Sequence, residues 1–95
     1  MPTRTVAVGS ASGLHARPAK LFVEAAAAAP VKVTIRVGDR KPVPARSMLS
    51  VLALGARQGT EVILEADGAG ADQALESLAA LLARDLDAEE HSDAR

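Results

Sequence analysis

Between residues 31 and 37 apolar and polar side chains alternate without a break, as Val31-Lys32-Val33-Thr34-Ile35-Arg36-Val37. A strict period of two commits this segment to an extended strand with one face that must be covered. After a Gln58-Gly59 turn, Val62, Leu64 and Ala66 alternate with Glu61, Ile63 and Glu65 and predict a second such strand. Thr3 to Val8 predicts another, with Val6 and Val8 on one face and Thr5 and Ala7 on the other. Beyond a Gly38-Asp39 turn, Lys41-Pro42-Val43-Pro44 carries prolines two apart, so both missing N–H groups lie on one side and the strand belongs at a sheet edge.

The intervening segments switch to helical spacing and supply the cover. Ala19, Phe22, Val23 and Ala26 predict a helix over 16–29, with Pro18 in its first turn and Pro30 past its end. Ser47 is placed to cap a short helix over 48–54 that Gly55 closes. After a loop over 67–71, Leu75, Leu78, Leu82 and Leu86 predict a third helix with Asp72 in its first turn. The order is βαββαβα. The expected fold class is therefore α+β, a four-stranded antiparallel sheet with three helices on one face, an open-faced sandwich.

Ninety-five residues leave room for one domain, expected over 1–95 with an ordered core over about 3–87 and an acidic polar tail over 88–95. Phe22 is the only aromatic residue and cysteine is absent, which excludes stacking platforms for bases, disulfides, thiolate nucleophiles and cysteine-ligated metals. No apolar run is long enough for a membrane span and no signal-peptide layout is present, so a cytoplasmic protein without direct membrane insertion is expected. Charge is segregated: residues 1–60 hold nine Lys and Arg against two acids, residues 61–95 two against ten. A basic first part suits an acidic protein partner or a phosphate, whereas the near-neutral total argues against nucleic acid.

Two histidines are the candidate chemical groups. His91 falls in the acidic tail, where a solvated side chain is the ordinary outcome. His15 stands where a loop enters the first helix, two residues before Arg17. An ordinary surface histidine is the plain alternative at such a place, but the surroundings are those of an anion site. A helix start offers N–H groups and partial positive charge, Arg17 adds a planar fork suited to phosphate oxygens, and an imidazole nitrogen is a competent nucleophile toward phosphorus. Helix 48–54 is apolar around much of its circumference, more than one buried face requires, which marks a docking surface or a helix sunk into the sheet.

The run Gly13-Leu14-His15-Ala16-Arg17-Pro18-Ala19 resembles the active-site motif of the HPr family, the histidine-containing phosphocarriers of the bacterial phosphoenolpyruvate-dependent sugar phosphotransferase system. Arg46-Ser47-Met48 through Leu54-Gly55 is similar to the family segment in which a regulatory serine precedes an apolar helix. The resemblance covers about residues 3–87 and implies the βαββαβα sandwich. It also implies that His15 accepts a phosphoryl group through Nδ1 from phosphorylated Enzyme I and donates it to sugar-specific EIIA components, with Arg17 and the backbone of Ala16 and Arg17 steadying the phosphate. Lys20, Leu21, Met48, Leu49 and Leu52 would form the partner-binding face, and Ser47 would be a cap or a phosphorylated switch. The resemblance implies no metal, no cofactor and a monomer. An HPr-like regulatory module, read by partners without sugar transport, shares all of these features. A histidine-dependent hydrolase is disfavoured because no second acid, base or metal ligand accompanies His15.

Overall fold

The computed structural model describes residues 2–85. Its elements are β1 (Thr3–Ala7), α1 (Ala16–Ala28), β2 (Val33–Val37), β3 (Val43–Pro44), α2 (Met48–Ala53), β4 (Glu61–Ala66) and α3 (Ala71–Ala83). The strands form one sheet in the order β1-β4-β2-β3, with every neighbouring pair antiparallel. This is the expected α+β open-faced sandwich.

The alternation in the sequence maps directly onto the two faces of the sheet. Val62, Leu64 and Ala66 of β4 are buried, as are Val33 and Ile35 of β2, and they meet Phe22, Val51, Leu75 and Leu78 from the three helices in one core. The register sets Ile35 opposite Leu64 and Val6 opposite Val62, so the covered side chains stack across the sheet while Thr3, Thr5 and Glu61 remain exposed. Phe22 lies fully buried among aliphatic side chains. At roughly 25 cal/mol per Å² of apolar surface removed from water, burial of this kind is the main stabilising term for so small a core.

Several element ends differ from the sequence reading. β2 starts at Val33 rather than Val31, and Val31 packs against the core from outside the ladder. β3 is only two residues long and takes the outer edge, where Pro44 faces Thr34; Ala45 N–H still donates to Val33 O at 2.9 Å in the same register. α2 stops at Ala53, with Leu54 as its C-cap. α3 stops at Ala83, three residues short of Leu86, because Arg84 turns extended. Leu86, His91 and the acidic tail lie outside the described residues.

The end of α3 meets the chain just past β1. Gly9 N–H donates to Leu82 O at 2.8 Å, and a Cβ built on Gly9 would stand 2.1 Å from the backbone oxygen of Ala83. No side chain fits between these two backbones, which is the physical reason for glycine there. Gly9→Ala should therefore force the two segments apart, lowering stability by about 2 kcal/mol and Tm by about 10 °C, measured by thermal and denaturant unfolding.

Candidate functional site

His15 sits at the N-cap of α1 with extended backbone angles, φ −146° and ψ 154°, and its side chain makes no capping hydrogen bond. It is exposed. The first turn of α1 contains no acidic side chain, and Pro18 in that turn has no N–H to offer, so the donors left at the helix start are the backbone groups of His15, Ala16 and Arg17. The imidazole and these donors share one end of α1, next to the exposed Arg17 side chain.

The loop that delivers His15 is held from two sides. On one side Ser10 Oγ donates to Arg84 O at 3.3 Å, and Ala11 N–H donates to Asp85 Oδ1 at 3.3 Å. On the other, Leu14 N–H donates to Ala56 O at 2.9 Å, Gln58 Nε2 donates to Gly9 O at 3.1 Å, and Gly59 N–H donates to Val8 O at 2.8 Å. Leu14 is buried in the core directly before the histidine. Gly13 has φ +73°, and a Cβ there would lie 2.4 Å from Ala56 O, so glycine is demanded both by the left-handed backbone and by the close approach.

Ala16 is the one non-glycine residue with positive φ among the described residues, at 53°. A left-handed alanine costs on the order of 1–2 kcal/mol, and here that strain falls beside His15. The turn from the extended histidine into the helix is concentrated in this single residue, and it is maintained by the loop's anchorage through Leu14 and Gly13.

The apolar surplus of α2 divides in two. Val51 and Leu54 are buried, and Leu52 is half-buried against the core. Leu49 is 81% exposed and Met48 36%, the only large apolar side chains exposed among the described residues. α1 packs on α2, with Lys20 exposed and Leu21 half-buried. Of the expected partner-binding set, Leu49, Met48 and Lys20 present accessible surface, while Leu52 and Leu21 divide theirs between core and solvent. Ser47 caps α2: Ser50 N–H donates to Ser47 Oγ at 3.3 Å, and Ser47 Oγ is 3.0 Å from Ser50 Oγ. A cavity of about 400 Å³ lies at the far end of α1, lined by Ala28, Pro30, Gln73 and Leu78, and takes no part in the His15 site.

No group of three or more metal-ligating side chains occurs among the described residues, and no described helix is long and apolar enough to cross a membrane. No sequence pattern marks Arg57 or Asp85. Neither lies in the motif around His15, and Asp85 reaches Ala11 across 74 residues of chain. Only the fold brings them to the loop.

Fold and site together define a small open-faced sandwich that presents an uncapped histidine at the start of its first helix. Residues 2–84 match the family model described as the PTS HPr component phosphorylation site. The chain is 55% identical over 87 residues to the phosphocarrier protein HPr of Streptomyces coelicolor, covering 92% of this chain and 94% of that one. Among solved structures it is similar to HPr-C-His of Thermoanaerobacter tengcongensis, with TM-score 0.80, 35% identity and coverage of 86% and 91% of the two chains. It is equally similar to the HPr of Bacillus anthracis, with TM-score 0.80, 34% identity and coverage of 85% and 95%. The chain belongs to the HPr family of phosphocarrier proteins of the phosphotransferase system.

The strain at Ala16 has a measurable consequence. A helical alanine changed to glycine ordinarily costs about 1 kcal/mol. Ala16→Gly should instead leave stability unchanged or raise it by up to about 1 kcal/mol, read from denaturant midpoints, because glycine adopts positive φ without the Cβ clash.

Proposed function

We propose that His15 accepts a phosphoryl group from phosphorylated Enzyme I and passes it to sugar-specific EIIA components, so that the chain serves as a monomeric cytoplasmic relay in sugar uptake. The observation that supports this reading most directly is an exposed imidazole, engaged in no capping bond, at a helix start whose first turn holds no acidic side chain. In each transfer the lone pair of a ring nitrogen, Nδ1 by family resemblance, forms a P–N bond as the bond from phosphorus to the donor breaks. The donor leaves with the bonding electrons. Donation to the acceptor runs the same displacement in reverse, with the P–N bond broken and the electrons returned to the ring.

The chain's own contribution is electrostatic and positional. The start of α1 carries a partial positive charge that favours an anion by about 0.3–1 kcal/mol, and in this reading the backbone N–H groups of Ala16 and Arg17 are the donors there. Arg17 adds a permanent cation able to donate two parallel hydrogen bonds to phosphate oxygens. The loop anchors fix the backbone that carries the ring, which lowers the entropic cost of meeting the partner's phosphorus. No metal or bound cofactor enters this scheme, since the positioning of the incoming phosphoryl group falls to the partner.

In this reading Leu49 and Met48, exposed on α2, supply an apolar contact, and Lys20 and Arg17 on α1 supply charged contacts for an acidic partner. Ser47 serves as a cap. A phosphate on it would place negative charge beside those apolar residues and act against docking rather than against the fold, since an anion is tolerated at the start of a helix.

Incubation with Enzyme I and phosphoenolpyruvate should add a single acid-labile, base-stable phosphate, detected by intact mass. It should be absent from His15→Ala, and persistence in that variant would refute the assignment. Arg17→Ala should retain its melting temperature and accept phosphate about tenfold more slowly, the scale of one charged hydrogen bond. Leu49→Glu should change stability by less than about 0.5 kcal/mol, because an exposed position tolerates charge, while weakening binding to Enzyme I in a titration. A large fall in Tm would make Leu49 a core residue and remove it from the docking face.

A further inference from the structure

The basic residues of the first sixty positions are scattered in sequence, and the fold decides which of them reach the histidine. Arg57 is one that the motif does not contain. A Cβ built on Gly13 would stand 2.8 Å from Arg57 Cα, so the backbone at Arg57 lies against the loop two residues before His15. Chain geometry then places the Cα atoms of Arg57 and His15 within about 12 Å of each other, a span that an arginine and a phosphohistidine side chain can bridge.

Arg57 is also held firmly. Its N–H donates to Thr60 Oγ1 at 3.1 Å, and Thr60 N–H donates to its carbonyl at 2.9 Å, which closes the turn. Leu14 N–H to Ala56 O, Gln58 Nε2 to Gly9 O and Gly59 N–H to Val8 O bind that turn to the loop carrying the histidine. The side chain of Arg57 is exposed, and among the described residues its guanidinium has no hydrogen bond or ion pair. A fixed backbone with an uncommitted cationic head is a suitable arrangement for meeting an anion at the loop.

The charges around the loop give that cation a role. Asp85, just past α3, accepts a hydrogen bond from Ala11 N–H and brings a carboxylate to the loop. Arg84 adjoins it, Arg17 and Lys20 lie on α1, and α2 between Met48 and Ala53 has no charged residue. A phosphoryl dianion on His15 thus has a carboxylate on one flank of its loop and Arg57 on the other.

We propose that Arg57 is a second cation of the His15 site, acting alongside Arg17 on the phosphoryl group carried there. The proposal rests on the phosphocarrier reading, so its test is arranged to fail separately. The parent, Arg57→Gln and Arg57→Lys are each phosphorylated with phosphoramidate, which transfers its phosphoryl group to an imidazole nitrogen and departs as ammonia. The position is checked by the absence of phosphate in His15→Ala. The titration of the bound phosphate is then followed by phosphorus NMR at an ionic strength of about 10 mM.

Removing a nearby cation disfavours the dianion, so Arg57→Gln should raise the titration midpoint by about 0.2–0.4 pH unit, the size expected for one charge at about 8 Å in water. Arg57→Lys should restore the parent value, and about 1 M salt should abolish the difference. A smaller change in Arg57→Gln overturns the proposal while leaving phosphate on His15 intact as a finding. Failure of Arg57→Lys to restore the midpoint also overturns it, since charge would not be the cause. Absence of phosphate from His15 in the parent overturns the phosphocarrier reading and this proposal with it.

Discussion

The site depends on the backbone stitching between the loop over 9–14 and two distant segments. Leu14 N–H bonds Ala56 O, and Gly9 N–H bonds Leu82 O, so the chain between β1 and α1 is pinned at both ends. The place of His15 at the start of α1 follows from this. An exposed loop without such anchors would leave the imidazole free to wander, and the left-handed turn at Ala16 would relax. Glycine at positions 9 and 13 permits the approach, because at both places the space for a Cβ is already occupied by another backbone.

Exposure divides the helical layer by task. α3 buries Leu75, Leu78 and Leu82 and covers β1 and β4. α1 buries Phe22 and Ala26 while its N-terminal end stays open around His15. α2 is short, secured by its Ser47 cap and by Val51 in the core, and leaves Leu49 in solvent. A six-residue helix has little intrinsic stability. Its cap, the buried Val51 and the half-buried Leu52 hold it, and the exposed Leu49 does not contribute to the core.

Much of this was legible along the chain. The alternation at 31–37 and 61–66 and the helical spacing of Ala19, Phe22, Val23 and Ala26 reflect burial on one face, a local signal with a fixed period. They led to the right elements, order and sheet type. The ends were less legible, because long-range partners help to set them: α3 stops where Gly9 takes up the carbonyl of Leu82. The histidine motif was visible as a contiguous string, and its neighbours Arg57 and Asp85 were not.

The amino-acid sequence alone determined which segments alternate or spiral, that the strand holding Pro44 belongs at an edge, and that His15 enters a helix with Arg17 beside it. Each is a property of neighbouring residues, governed by side-chain period, capping and the missing N–H of proline. Tertiary structure decided that Leu52 leans on the core while Leu49 does not, that Ala16 carries the backbone strain, and that Arg57 and Asp85 flank the histidine loop. Those outcomes arise when backbones from opposite ends of the chain come within hydrogen-bonding distance, and no local pattern encodes a contact across 74 residues.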